Sequence, residues 1–294
     1  MWWLAFPAAA LVFLAVILIR SGRERKFLSE SVYEVPVQGL PDALSGTTFL
    51  FLSDLHDELF GEDNRRLTER LQERKADAVL VGGDMMTVKK RSHTDFHALE
   101  TVLQSCLGKY PVYYALGNHE TRMRDHPELY PGWYERFLSL LSAYEVTLLD
   151  NSSACFTKNG ERIRISGFTL EREYYKKGHT EPLSVRKAEQ VLGPKKEMPE
   201  VVLVHSPMYG KTFSAWGADL VLSGHFHGGT IRLPLLGGVM TPQFQFFSPL
   251  TKGARRYGKT TEIISGGLGT HSVRIRFMNP PDIVSVRLVR EKTE

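Results

Sequence analysis

The sequence predicts an α/β protein with helices packed outside a sheet core, and three observations carry that expectation. Apolar runs of strand length recur along the chain, polar stretches with leucines at helical spacing separate them, and small polar clusters stand directly after several of the runs. The composition agrees, because 294 residues at 42% hydrophobic and 24% charged match a folded, core-containing protein and not a disordered or collagen-like chain. At that length most of the unfolded surface is buried without disulfides. Cys106 and Cys155 stand apart from any Cys-x-x-Cys pair or neighbouring histidine and read as small buried hydrophobes. A net charge of +4 from scattered basic residues is too mild to indicate a nucleic-acid binder.

The elements follow in order. Residues 1–19 (MWWLAFPAAALVFLAVILI) hold no charged side chain, and at about 1.5 Å per residue a helix of that length just crosses a bilayer's hydrocarbon core. Trp2 and Trp3 suit an interface, and Pro7 falls in the first turns, where a missing backbone donor costs least. No Lys or Arg precedes the run and large residues continue to Arg20, so an uncleaved anchor over 1–20 is expected in preference to a signal peptide. Arg20, Arg23, Arg25 and Lys26 follow, and the positive-inside rule places them, with the domain beyond, on the cytoplasmic face of the cell membrane as a single-pass protein. Anionic headgroups would attract the same cluster on either face. Residues 21–45 read as a juxtamembrane linker with one short edge strand at 31–37, and the main domain spans 46–294.

Within that domain a strand at 47–52, a helix at 63–75 and a strand at 76–81 form a βαβ signature. The alternation continues with a helix at 93–107, a strand at 111–116, a helix at 134–144 and a strand at 146–149. A second group of short strands is expected at 154–157, 162–167, 201–204, 219–222, 229–233, 262–265 and 283–289. In sheets of this kind, active sites gather at the C-terminal strand ends.

Five of the ten histidines fall in polar clusters after apolar segments: Ser53-Asp54-Leu55-His56, Gly82-Gly83-Asp84, Gly117-Asn118-His119-Glu120, His205-Ser206-Pro207 and Gly224-His225-Phe226-His227-Gly228. Each alone is a weak signal, since an isolated Asp-x-His is usually a capped turn and a strand-end His is usually satisfied by backbone. Five in this order are a strong one. Gathered at one sheet edge they supply carboxylate, amide and imidazole donors with no thiolate, a set for manganese, iron, zinc or nickel rather than for structural zinc. Along an extended Gly-His-x-His segment, alternation would send His225 and His227 to one face.

These motifs resemble the signature of the calcineurin-like metallophosphoesterases, which is complete between Asp54 and His227. Gly228-Gly229, Arg232-Leu233-Pro234, Gly266-Gly267-Leu268-Gly269 and Asn279-Pro280-Pro281 extend the likeness toward the membrane-linked bacterial branch that includes UDP-2,3-diacylglucosamine hydrolase-type phosphoesterases. Thr230 and Ser206 depart from the glutamine and asparagine common there. The resemblance implies a four-layer αββα sandwich of two mixed sheets, preceded by the N-terminal transmembrane helix, and two divalent metal ions, with Mn²⁺ favoured over Fe, Zn or Ni. It implies Asp54, His56, Asp84 and His227 around one ion and Asp84, Asn118, His205 and His225 around the other, so that Asp84 bridges them. Ions about 3.5 to 4 Å apart share a water, lower its pKa toward neutrality and hold it as hydroxide in line with phosphorus. His119 is then the candidate general acid for the leaving oxygen.

Other residues carry two readings each. Glu120 is a partner that orients His119 or a surface carboxylate, and Arg122 and Arg124 are a phosphate clamp or solvent-facing charge. His93, His97, His126, His179 and His271 lie outside the motifs and are expected to be structural or exposed. Residues 168–200 form a cap or short helix, or a solvated insertion. The stretch 234–250, with Phe244, Phe246 and Phe247 among prolines and glycines, packs on the sheet or, if exposed, contacts an acyl chain or the membrane surface. The expected protein is a membrane-anchored hydrolase of phosphate mono- or diesters or pyrophosphates, with a lipid-linked or nucleotide-sugar-lipid substrate favoured. A nuclease or cyclic-nucleotide phosphodiesterase on the same site, and a catalytically silent scaffold, are the alternatives.

Overall fold

Alternation along the apolar runs sorts their side chains onto two faces, and each face finds its own partner. In the computed structural model, which describes residues 15–89, 96–178, 180–270 and 273–291, the strands β1 (Ser29–Val37), β2 (Thr48–Leu52), β3 (Ala78–Val81), β4 (Val112–Ala115) and β5 (Thr147–Leu149) join the C-terminal β14 (Asp282–Arg290) in one sheet. Its order is β1-β14-β2-β3-β4-β5. Strands β2 to β5 run parallel, while β14 is antiparallel to β2 and parallel to β1. A second six-stranded sheet holds β6 (Ser152–Lys158), β7 (Glu161–Phe168), β8 (Glu200–Val204), β9 (Leu220–Ser223), β12 (Gly253–Tyr257) and β13 (Thr260–Ile264) in the order β12-β13-β9-β8-β7-β6. Both sheets are mixed, the second having parallel central strands and antiparallel edges. A two-residue ribbon, β10 (Arg232–Leu233) and β11 (Gly237–Gly238), stands apart.

The inward faces meet each other: Phe49, Phe51, Leu80 and Tyr113 pack against Ile163, Ile165, Leu203 and Leu222. Outside the first sheet, Leu50, Leu52, Val79 and Val81 are covered by α2 (Arg65–Glu73), α3 (His97–Cys106) and α5 (Trp133–Ala143) through Leu67, Leu71, Leu99, Val102 and Phe137. Outside the second, Val202, Val204 and Val221 meet Leu192 of α6 (Val185–Leu192) and Phe213 and Trp216 of α7 (Gly210–Trp216). The layers therefore run helix, sheet, sheet, helix. Each of these buried side chains contributes about 1.5–3 kcal/mol by leaving water.

Strands β2 to β5 and helices α2 and α5 lie within two residues of the expected spans. Other expectations are corrected. The strand expected at 229–233 is only Arg232–Leu233, because Gly229 and Thr230 take left-handed backbone (φ 79° and 57°) and His227–Gly229 closes a 3₁₀ turn. Cys106 is buried, but Cys155 is exposed, on the outward side of edge strand β6 opposite the buried Phe156. The short helices α4 (Asn118–Asp125) and α7 and the edge strand β12 have no counterpart among the expected elements: α4 carries a single apolar side chain, Met123, and β12 alternates only between half-buried and exposed. Residues 168–200 resolve into a 3₁₀ turn at Arg172–Tyr175 and helix α6, capped by the Ser184 hydroxyl accepting from Lys187 N–H.

At the N-terminus residues 15–24 are helical (α1), and among the described residues no helix is long and apolar enough to cross a membrane. Most of the expected span, residues 1–14, lies outside the described residues, as do His93, His179 and His271. Helix α1 docks on the domain: Ser21 is buried and accepts from Arg276 N–H at 3.0 Å, and Glu24 accepts from Asn279 N–H at 3.1 Å. The strand expected at 31–37 is β1, which pairs with β14 over nine residues.

Candidate metal centre

The five polar clusters all leave the C-terminal ends of parallel strands: β2, β3 and β4 in one sheet, β8 and β9 in the other. Face-to-face packing of the sheets brings these ends together at one rim. The clusters turn sharply there. Asp54, His56, Asp84, His225 and His227 all have left-handed backbone, with φ between 47° and 65°. Such conformations are rare for residues with a Cβ and are held only where the surroundings over-determine them, as at functional sites. His225 and His227 thus converge through a tight turn and not through strand alternation.

Close backbone approach is part of the same construction. A Cβ at Gly224 would stand 2.3 Å from Asp54 Oδ2, and one at Gly117 would stand 2.3 Å from Asp84 Oδ1. Asp54 accepts from His225 N–H with both oxygens at 3.0 Å, and Asp84 Oδ1 accepts from His119 N–H at 2.8 Å, at the N-terminus of α4. Glu120, fully buried, neither faces solvent nor orients the His119 ring. Its Oε2 accepts from Asp84 N–H and Gly117 N–H at 2.9 and 3.0 Å, and its Oε1 from Met85 N–H and Tyr114 O–H at 3.0 and 2.6 Å. It ties the loop after β3 to the loop after β4.

The donor atoms form three overlapping groups in which all atoms lie within 4.8 Å of one another: Asp54, His56 and His227; His56, Asp84 and His119; and Asp84, His205 and His225. Asp84 is common to two of them. His205 Nε2 stands 3.2 Å from Asp84 Oδ2 and 3.8 Å from Asp54 Oδ1, and His227 Nε2 stands 3.5 Å from Asp54 Oδ1 and 3.2 Å from His56 Nε2. The Oδ1 of Asn118 is buried and has no hydrogen-bond partner among the described residues. Seven expected ligands therefore border one space, with His119 beside them.

The tautomers follow from the partners. His205 Nδ1 lies 2.7 Å from Gly82 O and His227 Nδ1 3.2 Å from Gly269 O, and a carbonyl can only accept, so both imidazoles carry their proton on Nδ1 and present the Nε2 lone pair to the centre. A lone pair aimed at a carboxylate oxygen needs a cation or a proton between them. Without a metal the proton fills that role. Burial opposes charge on His205, but Asp84 and Asp54 overcome it and raise its pKa to about 10. Asp84, also pushed up by burial, is brought well below the usual carboxylate range by His205, His119 and His56, whereas burial raises Asp54 to about 6. Divalent ions would hold both carboxylates ionised at once. His119 differs: its Nδ1 accepts from Val88 N–H at 2.6 Å, so in the neutral ring Nε2 is the protonated atom and a donor, not a ligand.

Several neighbours were not marked in the sequence. Tyr175 stacks edge-on against His225 at 4.9 Å between ring centres, with its hydroxyl buried and without a hydrogen-bond partner among the described residues. Arg276, buried, donates to the carbonyls of Gly266, Gly267, Gly269 and Asn279 and so shapes the loop behind His227. Nothing in the local pattern marks either. Arg124 is committed to Asp150 and Asp125, and Arg122 donates to Val88 O while lining a cavity beside Asn118 and His225. His97 pairs with Asp63, and His126 pairs with Glu128 while lining the same cavity as Arg122.

Comparison with known proteins agrees with this geometry. Residues 47–229 match the family of calcineurin-like phosphoesterases. The chain is 26% identical over 249 residues to an uncharacterized metallophosphoesterase, YkuE, of Bacillus subtilis (83% of this chain, 79% of the relative). It is 23% identical over 245 residues to the phosphodiesterase YaeI of Escherichia coli (82% and 81%). It is also 27% identical over 265 residues to a transmembrane protein with a metallophosphoesterase domain from Danio rerio, covering 87% of this chain and 56% of that protein. With its five clusters gathered at one rim and the match running through most of both sheets, the chain belongs to the calcineurin-like phosphoesterases, a family of metal-dependent phosphoester hydrolases.

Proposed function

We propose that this protein hydrolyses phosphate mono- or diesters or pyrophosphates with two divalent cations, Mn²⁺ first, held by Asp54, His56, Asp84 and His227 on one side and Asp84, Asn118, His205 and His225 on the other. The observation that carries this is His205 Nε2 set 3.2 Å from Asp84 Oδ2, with the His205 Nδ1 proton spent on Gly82 O. The oxygen and nitrogen donors fit Mn²⁺, Fe, Zn or Ni. When bound, the ions supply the acidity that activates water and the charge that neutralises phosphate oxygens. Asp84 sets the spacing between the two ligand groups. His119 presents Nε2–H as a hydrogen-bond donor to the leaving oxygen, its ring fixed by Val88 N–H. The Tyr175 hydroxyl, beside His225, is placed to donate to a phosphate oxygen.

Residues 1–20 hold the domain at a membrane in this reading, supported by the uncharged run before Arg20 and by the Danio rerio relative named a transmembrane protein. The basic cluster favours the cytoplasmic face. The narrower likeness to UDP-2,3-diacylglucosamine hydrolase-type enzymes favours a lipid-linked or nucleotide-sugar-lipid substrate. The deciding experiment strips the full chain of metal, refills it with Mn²⁺, and measures bound metal and hydrolysis of bis-p-nitrophenyl phosphate. Two ions per chain and metal-dependent turnover are expected, with Asp84→Asn losing both. A folded chain that binds no metal overturns the reading.

A further inference from the structure

Two cavities meet the centre from different sides. One, of about 580 Å³, borders Asn118 and His225 and is lined by cations, among them Arg122, Arg172, Lys176 and Lys177. The other, of about 430 Å³, reaches His227 and Gly229 at its inner end and is walled by Ile231, Val239, Met240, Phe244, Phe246 and Ile275. Lys177 borders both, its ammonium 4.7 Å above the Phe244 ring. Around the apolar cavity the chain keeps large hydrophobic side chains in solvent: Phe244 and Phe246 of its wall, with Leu235, Leu236 and Phe247 beyond them in the chain. An exposed apolar surface of this extent marks a binding face.

Helix α1 adjoins the wall of the same cavity. Ser21 bonds Arg276, which lines the cavity, and Arg20 lies over the Phe277 ring at 5.0 Å. Val16, Leu18 and Ile19 on that helix are exposed, and the uncharged residues 1–14 precede it. Helix α1 therefore stands beside the groove, so that an anchor formed by residues 1–20, as proposed above, attaches to the domain next to it. Most of the lining is apolar, so an occupant is apolar along most of its length and polar where it meets His227 and Lys177.

The geometry points to an acyl chain, carried by a membrane lipid whose phosphoester enters the metal centre. The chain lies in the groove between the 231–246 loop and Ile275, while the polar substituent of the same phosphate lies in the cationic cavity beside Asn118. This rests on the hydrolase reading and adds to it which side of the phosphorus carries the lipid. Phe244 and Phe246 are the specificity-determining residues. Each methylene taken from water into the groove strengthens binding by up to about fourfold.

The test uses full-length chain in nanodiscs, as wild type and as the Phe244→Ser, Phe246→Ser double variant; both side chains are half or more exposed, so folding is preserved and is checked by circular dichroism. Binding of butyl and dodecyl phosphate to metal-free protein is measured by calorimetry below micellar concentrations. Dodecyl phosphate should bind at least tenfold more tightly than butyl phosphate, and the double variant should lose that preference. Equal affinities, or a preference that survives in the variant, overturns the proposal whatever the enzyme's activity. Hydrolysis of ethyl and dodecyl p-nitrophenyl phosphate by the Mn²⁺-loaded protein is the second arm, with a wild-type preference for the dodecyl ester in kcat/KM. Failure to cleave either ester counts against the hydrolase reading alone, while cleavage without chain-length preference counts against the groove.

Discussion

His119 and Glu120 are neighbours with opposite tasks, and the difference lies in what each polar atom meets. The His119 ring takes a backbone proton on Nδ1 and offers one on Nε2, which stands 4.0 Å from Asp84 Oδ2. A donor of that kind helps most where the leaving oxygen is a poor one. His119→Ala should slow cleavage of an alkyl ester by roughly 10²–10³-fold, with metal content unchanged. The loss should be much smaller for p-nitrophenolate, a leaving group that needs less help. Equal losses on both esters, measured as kcat ratios, would show that the ring acts on binding or on the metals instead. Glu120 accepts four hydrogen bonds and supports the loop carrying Asp84, and burial followed by the Asp84 charge raises its pKa to about 7. The motif made both residues visible, but which of them faces the centre was decided by atoms on β3's loop, more than thirty residues away.

At the scale of elements, the centre depends on strands that stop together and on loops that turn left-handed immediately afterwards. Gly224, between β9 and His225, shows how little room is left. Gly224→Ala places a methyl group 2.3 Å from Asp54 Oδ2, so the carboxylate or the β9 loop must move. The expected result is a folded protein, by circular dichroism, whose Mn²⁺ affinity falls at least tenfold; unchanged affinity would mean that the Asp54 oxygens are not ligands. The strand positions were readable because apolar runs of four to six residues ended in glycine or polar clusters. The 225–230 turn was not. Gly-His-x-His reads as an extended segment, yet His225, His227 and Thr230 adopt positive φ because backbone and side-chain contacts from Asp54, Gly269 and Asn279 hold them there.

The whole molecule is two sheets pressed together, and that construction also buries acidic groups that belong to none of the five polar clusters. Glu262 on β13 is fully buried beneath α7, meeting Ser223 Oγ at 3.3 Å, and burial raises its pKa to about 8. Between the ordinary carboxylate value of 4.5 and about 8 the folded chain holds a proton that the unfolded chain has lost. Stability therefore falls as pH rises through that window and levels off above it. Glu262→Gln should flatten this dependence relative to wild type in urea unfolding at pH 5 and pH 9, and a slope identical to wild type would show that Glu262 ionises freely in the fold. The sequence by itself determined where the central strands lie along the chain, the identity of the donor atoms and their place at strand ends, because these follow from short-range periodicity and residue chemistry. Tertiary structure alone decided which lone pairs face Asp84, that His119 is held as a donor, that Arg276 underpins His227, and that Phe244 and Phe246 border an open groove. Those outcomes depend on hydrogen bonds and packing between residues up to 123 positions apart, which no local pattern encodes.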